Sequence, residues 1–328
     1  MRLTVRRTSR VVALMAAAAI ALSACGSGGS IDEETKKNEA NSAGKGDCGE
    51  FNIAVNPWVG YEADAYVVGN VAESLGCKVN YKELKEDVSW QGFGTGDVDV
   101  VLEDWGHPDL EKKFFAGSGD GSAEDLGPTG NIGIIHWYVP PWLAKAHPDV
   151  LDYKNLNKYA DKFKTSESGG KGSFLGADPS YVQFDEAIIS NLKLNFKVTF
   201  SGSEAASIAA FEKAEKNKEW LIGYFYEPQW LFAEYPLKAV KLPPYKDGCQ
   251  KDPAKVACDY PETTLKKVAS TAWVKKGSPA VDLVKNFKWT NEDQNTVGKY
   301  IAKDGMSSED AAAKWVKDNA DKVKAWTE

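Results

Sequence analysis

The sequence predicts an α/β protein made of two hinged lobes, and three features support this prediction. From residue 51 onward, short apolar runs typical of strands alternate with segments whose apolar residues recur every three or four positions, as in helices. The alternation is repeated in the middle of the chain, and the pairs Pro140-Pro141 and Pro243-Pro244 mark two crossings. Alternating strands and helices favour mixed, mainly parallel sheets flanked by helices.

The individual elements follow from the same periodicity. In the helix over residues 61–75, for example, the apolar residues from Ala65 to Leu75 recur at spacings of three and four. In the first part, strands are predicted at 51–55, 78–84, 98–103 and 132–139, short helices at 89–94 and 108–115, and a surface loop at 117–130. In the remainder, strands are predicted at 172–176, 197–201, 220–225 and 267–273, helices at 181–194, 203–216, 280–287, 292–303 and 308–317, and a short tail to Trp326.

Each predicted lobe is assembled around the two crossings. One lobe comprises residues 48–138 plus 244–328, and the other comprises residues 139–243. The crossings near residues 138–141 and 242–245 would act as the hinge. A cleft between two lobes is a frequent site for a small molecule.

The first 47 residues are predicted to form an export signal and a tether rather than part of the folded domain. Residues 1–24 combine a basic start with an apolar run at 11–22 that is too short to span a bilayer comfortably, which is typical of a signal peptide. The sequence LSAC resembles a bacterial lipobox and predicts that Cys25 is lipidated and anchors the exported protein to the outer face of the cytoplasmic membrane. An ordinary signal peptide with an unrelated cysteine is the alternative. Residues 25–47 are rich in Gly, Ser, Lys and Glu and predict a disordered tether.

Charge limits the partners of the exported chain. All four arginines lie in the signal peptide, which leaves 36 lysines against 47 aspartates and glutamates, a net charge of −11. This acidic balance argues against nucleic acid, and against membrane contact other than through the lipid anchor. Without arginine, a bound anion would need backbone N–H groups, lysine or histidine.

Four cysteines follow Cys25, and an even number in an exported protein suggests disulfide bonds. Three pairings are possible. Cys48 and Cys77 each precede a predicted strand and could bridge adjacent parallel strands, whereas Cys249 and Cys258 would close a short loop. Free buried thiols are the alternative. Neither pair has metal-ligand spacing, and no metal or cofactor is expected.

Aromatic residues follow or end several predicted strands. Trp58, Trp105, Trp137, Tyr181 and Tyr226 occupy such positions. In open parallel sheets, ligands bind beyond the carboxyl ends of the strands. Any one of these rings could simply pack in the core, but several aromatic faces around one cavity are suited to a quaternary ammonium ion.

The same residues lie in motifs that resemble a known family, over nearly all of residues 50–326. The motifs, in order, are NPWVG, GDVDVVLEDW, IHWYVP, ADPSY and GYFYEPQW, followed by closing helices with Trp315 and Trp326. They resemble the substrate-binding proteins of ABC importers for glycine betaine, proline betaine, choline and related quaternary amines. The resemblance implies a two-lobed, hinged fold of the type II periplasmic-binding-protein class. It also implies an ABC permease with its ATPase as partners, and a monomer is expected.

The resemblance also assigns roles to single residues. It implies that Trp58, Trp105, Trp137, Tyr181 and Tyr226 contact the ligand, with tyrosine at two positions where several family members have tryptophan. A betaine carboxylate could be held by His107 or by backbone N–H groups near Tyr181-Val182.

The resulting functional prediction is a solute-binding lipoprotein that delivers its ligand to a permease. Glycine betaine is placed first, with choline, carnitine or another amine as alternatives. A ligand-sensing lipoprotein uncoupled from transport and a sugar-binding protein also stay open. An enzyme is not expected, because the sequence has neither a G-x-S-x-G nor an H-E-x-x-H motif and its three histidines are scattered.

Overall fold

The described part of the molecule begins at the first disulfide cysteine. The computed structural model describes residues 48–328, so the predicted signal peptide and the whole predicted tether, including Cys25, lie outside the described residues. Among residues 48–328, none of the helices combines the length and the apolar character that a membrane crossing requires.

The strands form one mixed sheet within the described residues. They are β1 (Glu50–Val55), β2 (Lys78–Glu83), β3 (Val100–Asp104), β4 (Ala123–Val139), β5 (Gly172–Gly176), β6 (Phe196–Phe200), β7 (Gly223–Glu227), β8 (Lys238–Ala239) and β9 (Glu262–Ser270). Their order is β2-β1-β3-β9-β4-β7-β5-β6, with β8 paired to β4.

Helices cover this sheet. They are α1 (Val59–Ser74), α2 (Glu86–Thr95), α3 (Pro108–Phe114), α4 (Pro141–Ala146), α5 (Leu156–Tyr159), α6 (Asp185–Asn191), α7 (Glu204–Asn217), α8 (Leu231–Glu234), α9 (Thr271–Val274), α10 (Pro279–Asn286), α11 (Asn291–Ala302), α12 (Ser308–Asp318) and α13 (Ala320–Thr327). Helix α1 is largely buried beneath α10, α11 and α12. The region that the sequence predicts as a tail to Trp326 is helical, because Trp326 is buried against Trp315 and Phe287.

Two parallel groups of strands flank an antiparallel centre. Strands β2, β1 and β3 are parallel to one another, and so are β7, β5 and β6. Strands β9 and β4 lie between these groups and run antiparallel to their neighbours. The predicted lobes would each contain one parallel group, and their boundaries stay a prediction.

The predicted surface loop at 117–130 is wrong in its second half. Strand β4 already begins at Ala123 and pairs with β9 as far as Ile134. Register shifts between Asp125 and Pro128, and between Pro128 and Ile132, accommodate the glycines and the proline that made this stretch look like a loop. Pairing with a distant strand therefore overrides the local turn signals.

The predicted disulfide pairing is confirmed. Cys48 and Cys77 precede the parallel neighbours β1 and β2, and their Cα atoms are 4.8 Å apart. Cys249 and Cys258 close a short loop with a Cα–Cα distance of 6.5 Å. The first disulfide joins the start of the edge strand β2 to the start of its neighbour β1, at the end opposite to their carboxyl ends.

Candidate ligand-binding site

A cavity lies where the parallel strands end. It encloses ≈ 290 Å³ of space free of protein atoms, part of it open to solvent. Its lining residues are Trp58, Glu86, Trp105, Ile135, Tyr181, Val182, Tyr224 and Tyr226. Most of these side chains are aromatic, and no lysine or histidine is among them.

Strand geometry delivers the aromatic residues to this place. Trp58 follows β1 and precedes the first residue of α1, and Trp105 follows β3 directly. Tyr181 follows β5, and Tyr226 lies near the end of β7. Because β1 and β3 are parallel, and β5 and β7 are parallel, each pair presents its carboxyl ends on one side.

Four of these aromatic side chains, Trp58, Tyr181, Tyr226 and Trp105, form a connected set that we call the ring cluster. The ring centroids are 5.4 Å apart for Trp58 and Tyr181, 6.2 Å for Tyr181 and Tyr226, and 5.6 Å for Tyr226 and Trp105. Neighbouring ring planes meet at 79–83°. Rings that stand nearly perpendicular to their neighbours can form the walls of a box.

Glu103 joins the two tryptophans of the ring cluster. Its Oε1 accepts hydrogen bonds from Nε1 of Trp58 at 2.9 Å and from Nε1 of Trp105 at 2.8 Å. Its Oε2 accepts from Nε2 of Gln294 at 2.7 Å. Glu103 is fully buried on β3, and Trp105 lies two residues further along on the same face. One carboxylate therefore sets the orientation of both indoles.

Glu204 holds the tyrosine side of the ring cluster. Its carboxyl group accepts hydrogen bonds from the hydroxyl of Tyr226, from Nε2 of Gln229 at 2.6 Å and from the backbone N–H of Val59 at 2.9 Å. The hydroxyl of Tyr181 donates to the backbone oxygen of Pro57 at 2.7 Å. Burial raises the pKa of Glu204 to about 7, although these hydrogen bonds oppose the rise. Two polar contacts thus tie Tyr181, which follows β5, and Glu204, which begins α7 after β6, to residues 57–59 after β1.

His107 lies behind the cavity in a buried charged triad with Glu86 and Asp104. Its Nε2 is 3.2 Å from Oε2 of Glu86, and its Nδ1 is 2.7 Å from Oδ1 of Asp104. The three side chains offer ligand atoms within 4.8 Å of one another, as a metal site would. Both ring nitrogens already face carboxylates, however, so an imidazolium ion pairs with both acids without a metal. Oε1 of Glu86 and Oδ2 of Asp104 keep no hydrogen-bond partner among the described residues.

We expect the ring of His107 to stay protonated well above neutral pH. Burial by itself would lower the pKa of His107, but Glu86 and Asp104 outweigh it and raise this pKa to about 10. The unfolded chain would release the proton near pH 6.5, so the stabilisation is fully present below that pH and is lost as pH rises towards 10. Ring resonances of His107 in NMR spectra, assigned by comparison with the His107→Gln variant, should show an imidazolium ion at pH 8. A titration midpoint near 6.5 would contradict this prediction.

Trp137 lies beside the cavity rather than in its lining. On β4, Trp137 and Ile135 are paired with Tyr224 and Tyr226 of β7, so all four share one face of the sheet. Trp137 lies opposite Tyr224, but its Nε1 donates to Asp185 at 2.7 Å and its ring packs on Phe174. Trp137 therefore shares a sheet face with the lining residues, while its indole is held by other partners and is not part of the lining.

Sequence reasoning missed several residues of the site. Tyr224 and Ile135 could have been found from alternation along β7 and β4, because each lies two residues from a predicted site residue. Glu86, Glu103 and Glu204 carry no such signal. Their roles depend on partners that come from distant parts of the chain, as in the contact of Glu103 with Gln294.

Gly133 lies directly against the indole of Trp105. A Cβ atom at this position would lie 2.5 Å from Cζ3 of Trp105 and 2.8 Å from Cδ2 of Leu265. Gly133→Ala should therefore displace the indole and weaken ligand binding several-fold, since one aromatic face is worth roughly 0.5–2 kcal/mol to a bound cation. Calorimetric titration measures this effect. Gly94→Ala is the control, because the nearest atom to its new Cβ is 3.8 Å away; equal affinities of the two variants would refute the prediction.

The mixed sheet with two parallel groups and a cavity at their carboxyl ends agrees with the two-lobed binding-protein fold, which the matching solved structures share. Comparison with known proteins then gives the family. Residues 49–318 match the family described as the substrate binding domain of ABC-type glycine betaine transport systems, OpuAC. The chain belongs to this family. Members of this family are extracytoplasmic substrate-binding proteins of ABC transporters, and not enzymes.

Individual relatives agree with this assignment. The chain is 27% identical over 276 residues to the trimethylamine N-oxide-binding protein of Pelagibacter ubique (strain HTCC1062), which covers 81% of this chain and 87% of the relative. Lactococcal OpuAC, solved closed with glycine betaine, is 21% identical with a TM-score of 0.66 and covers 85% of this chain and 99% of its own. An ABC-transporter choline binding protein, solved with choline, is 20% identical with a TM-score of 0.66. The match covers 85% of this chain and 91% of the choline binding protein. The two solved structures share the fold.

Proposed function

We propose that the ring cluster is an aromatic cage that captures a quaternary ammonium compound, which the protein delivers to an ABC permease and its ATPase. The observation that carries this proposal is the closed arrangement of four perpendicular rings, in which Glu103 links the first ring to the last. A quaternary ammonium ion has no N–H to donate, so it binds best to aromatic faces. Each face would contribute roughly 0.5–2 kcal/mol.

We further propose that binding closes the two lobes. With boundaries at 48–138 plus 244–328 and at 139–243, Trp58 and Trp105 would belong to one lobe and Tyr181 and Tyr226 to the other. The hydrogen bonds from Tyr181 to Pro57 and from Val59 to Glu204 would then join the lobes. A ligand that touches both lobes binds the closed state better and shifts the population towards it.

The finer predictions complete this proposal. Lipidated Cys25 would anchor the protein to the outer face of the cytoplasmic membrane. Glycine betaine is the ligand that the sequence analysis places first, and the backbone N–H of Val182, which lines the cavity, would be a partner for its carboxylate. Trimethylamine N-oxide joins choline and carnitine as a candidate, because a relative named for it aligns with 81% of this chain.

Calorimetric titration tests the proposal directly. The full chain, purified in detergent and freed of co-purified ligand, is titrated with glycine betaine, choline, carnitine, ergothioneine, trimethylamine N-oxide and tetramethylammonium. Proline and maltose are the controls. We expect at least one amine to bind with a Kd of about 1 μM or less, or roughly −8 kcal/mol. If a folded sample binds none of the amines, the ring cluster is a packing feature. If it binds maltose, the site is a sugar site.

A further inference from the structure

Glu86 is the one carboxyl group in the lining of the cavity, and one of its oxygens has no partner. The side chain is 6% exposed. Its Oε2 lies 3.2 Å from Nε2 of His107, whereas its Oε1 is buried and has no hydrogen-bond partner among the described residues. A buried carboxylate oxygen without a donor is costly, and a donor on a ligand in the cavity would remove this cost.

The aromatic donors around the cavity are all committed to other acceptors. The indole N–H groups of Trp58 and Trp105 donate to Glu103. The hydroxyl groups of Tyr181, Tyr224 and Tyr226 donate to Pro57, Val182 and Glu204, respectively. His107 is held on its other side by Asp104. None of these groups donates to Oε1 of Glu86, and because Glu86 lines the cavity, a bound ligand with a donor can reach this atom.

We propose that Glu86 is the specificity-determining residue of the site and accepts a hydrogen bond from a hydroxyl group on the bound quaternary amine. This inference rests on the proposed function. It favours an ammonium alcohol of the choline type over glycine betaine, because a ligand carboxylate would lie beside the carboxylate of Glu86. No lysine or arginine lines the cavity to offset that repulsion. The nearby His107 is itself shared between Glu86 and Asp104.

Two matched ligands isolate the hydrogen bond. Choline and its O-methyl ether carry the same cation and the same charge, but the ether has no hydroxyl donor. On the wild-type protein, choline should bind about tenfold or more tightly than the ether, or roughly 1.4 kcal/mol. Equal affinities would overturn the proposal without any variant.

One substitution tests the charge of Glu86. In Glu86→Gln, the ratio of choline affinity to glycine betaine affinity should fall about tenfold or more, or roughly 1.4 kcal/mol. Asp87→Asn is the control, because it removes an exposed charge from the next residue of α2 and should leave the ratio unchanged. A wild-type protein that prefers glycine betaine, or a ratio that is the same in Glu86→Gln, would overturn the proposal.

Tetramethylammonium separates this inference from the function on which it rests. This cation has neither a hydroxyl nor a carboxyl group, so it reports on the ring cluster alone. If tetramethylammonium binds the wild-type protein while choline and its ether bind equally, the aromatic cage is supported and the proposed role of Glu86 is refuted. If no quaternary amine binds, the proposed function itself fails.

Discussion

Replacing Trp105 with alanine is expected to weaken tetramethylammonium binding at least about tenfold, or roughly 1.4 kcal/mol. The variant loses one of the four rings of the proposed cage and the 2.8 Å hydrogen bond that fixes it to Glu103. It also opens the face of Tyr226 to water, which weakens the remaining cation–π attraction. Calorimetric titration of the full chain measures the change.

A second tryptophan serves as the matched control. Trp142 packs against Trp220, with ring centroids 6.1 Å apart, and does not belong to the lining of the cavity. Trp142→Ala should therefore lower the thermal stability of the protein while leaving its affinity unchanged. If a folded Trp105→Ala protein binds the cation as tightly as the wild type does, Trp105 is not part of the cage.

Replacing Glu103 with alanine is expected to reduce both stability and affinity. The carboxylate accepts hydrogen bonds from Trp58, Trp105 and Gln294, so its removal leaves three buried donors without a partner. Each unsatisfied donor costs about 1–3 kcal/mol, and we expect the free energy of unfolding to fall by roughly 3 kcal/mol or more. Affinity should fall about tenfold, or roughly 1.4 kcal/mol, because both indoles lose the group that orients them.

Glu103→Gln distinguishes the loss of the hydrogen bonds that orient the two indoles from a loss of side-chain packing. The amide keeps an oxygen that can accept from the two indoles, so this variant should recover most of the affinity lost in Glu103→Ala. Chemical denaturation and calorimetry on the same samples measure both effects. Glu262→Ala is the control, because Glu262 is an exposed acid at the start of β9. A Glu103→Ala protein with wild-type affinity would show that the indoles are held by packing alone.

The site residues divide according to how they could be predicted. Trp58, Trp105, Tyr181 and Tyr226 were accessible from the sequence, because each lies at or after the carboxyl end of a parallel strand. Trp137 satisfies a similar pattern and still lies outside the lining, because its indole is engaged by Asp185 and Phe174, and strand periodicity does not show such contacts.

The roles of the buried carboxyl groups could not be predicted from the sequence. Glu86 and Glu103 look like ordinary acids in an acidic chain. Their importance comes from donors that are remote in sequence, such as Gln294, 191 residues from Glu103. Hydrogen-bond partners of this kind have no periodic signature in the sequence.

The sequence by itself determined the alternation of strands and helices and the aromatic residues at the strand ends. These features depend on local hydrophobic periodicity and on residues adjacent to the strands they terminate. Only the tertiary structure decided which cysteines pair, that residues 123–130 join β4, that Trp137 lies beside the cavity and that Glu103 and Glu204 hold the ring cluster. Pairing between distant strands and convergence of distant side chains set these outcomes, and neither is encoded in a local pattern.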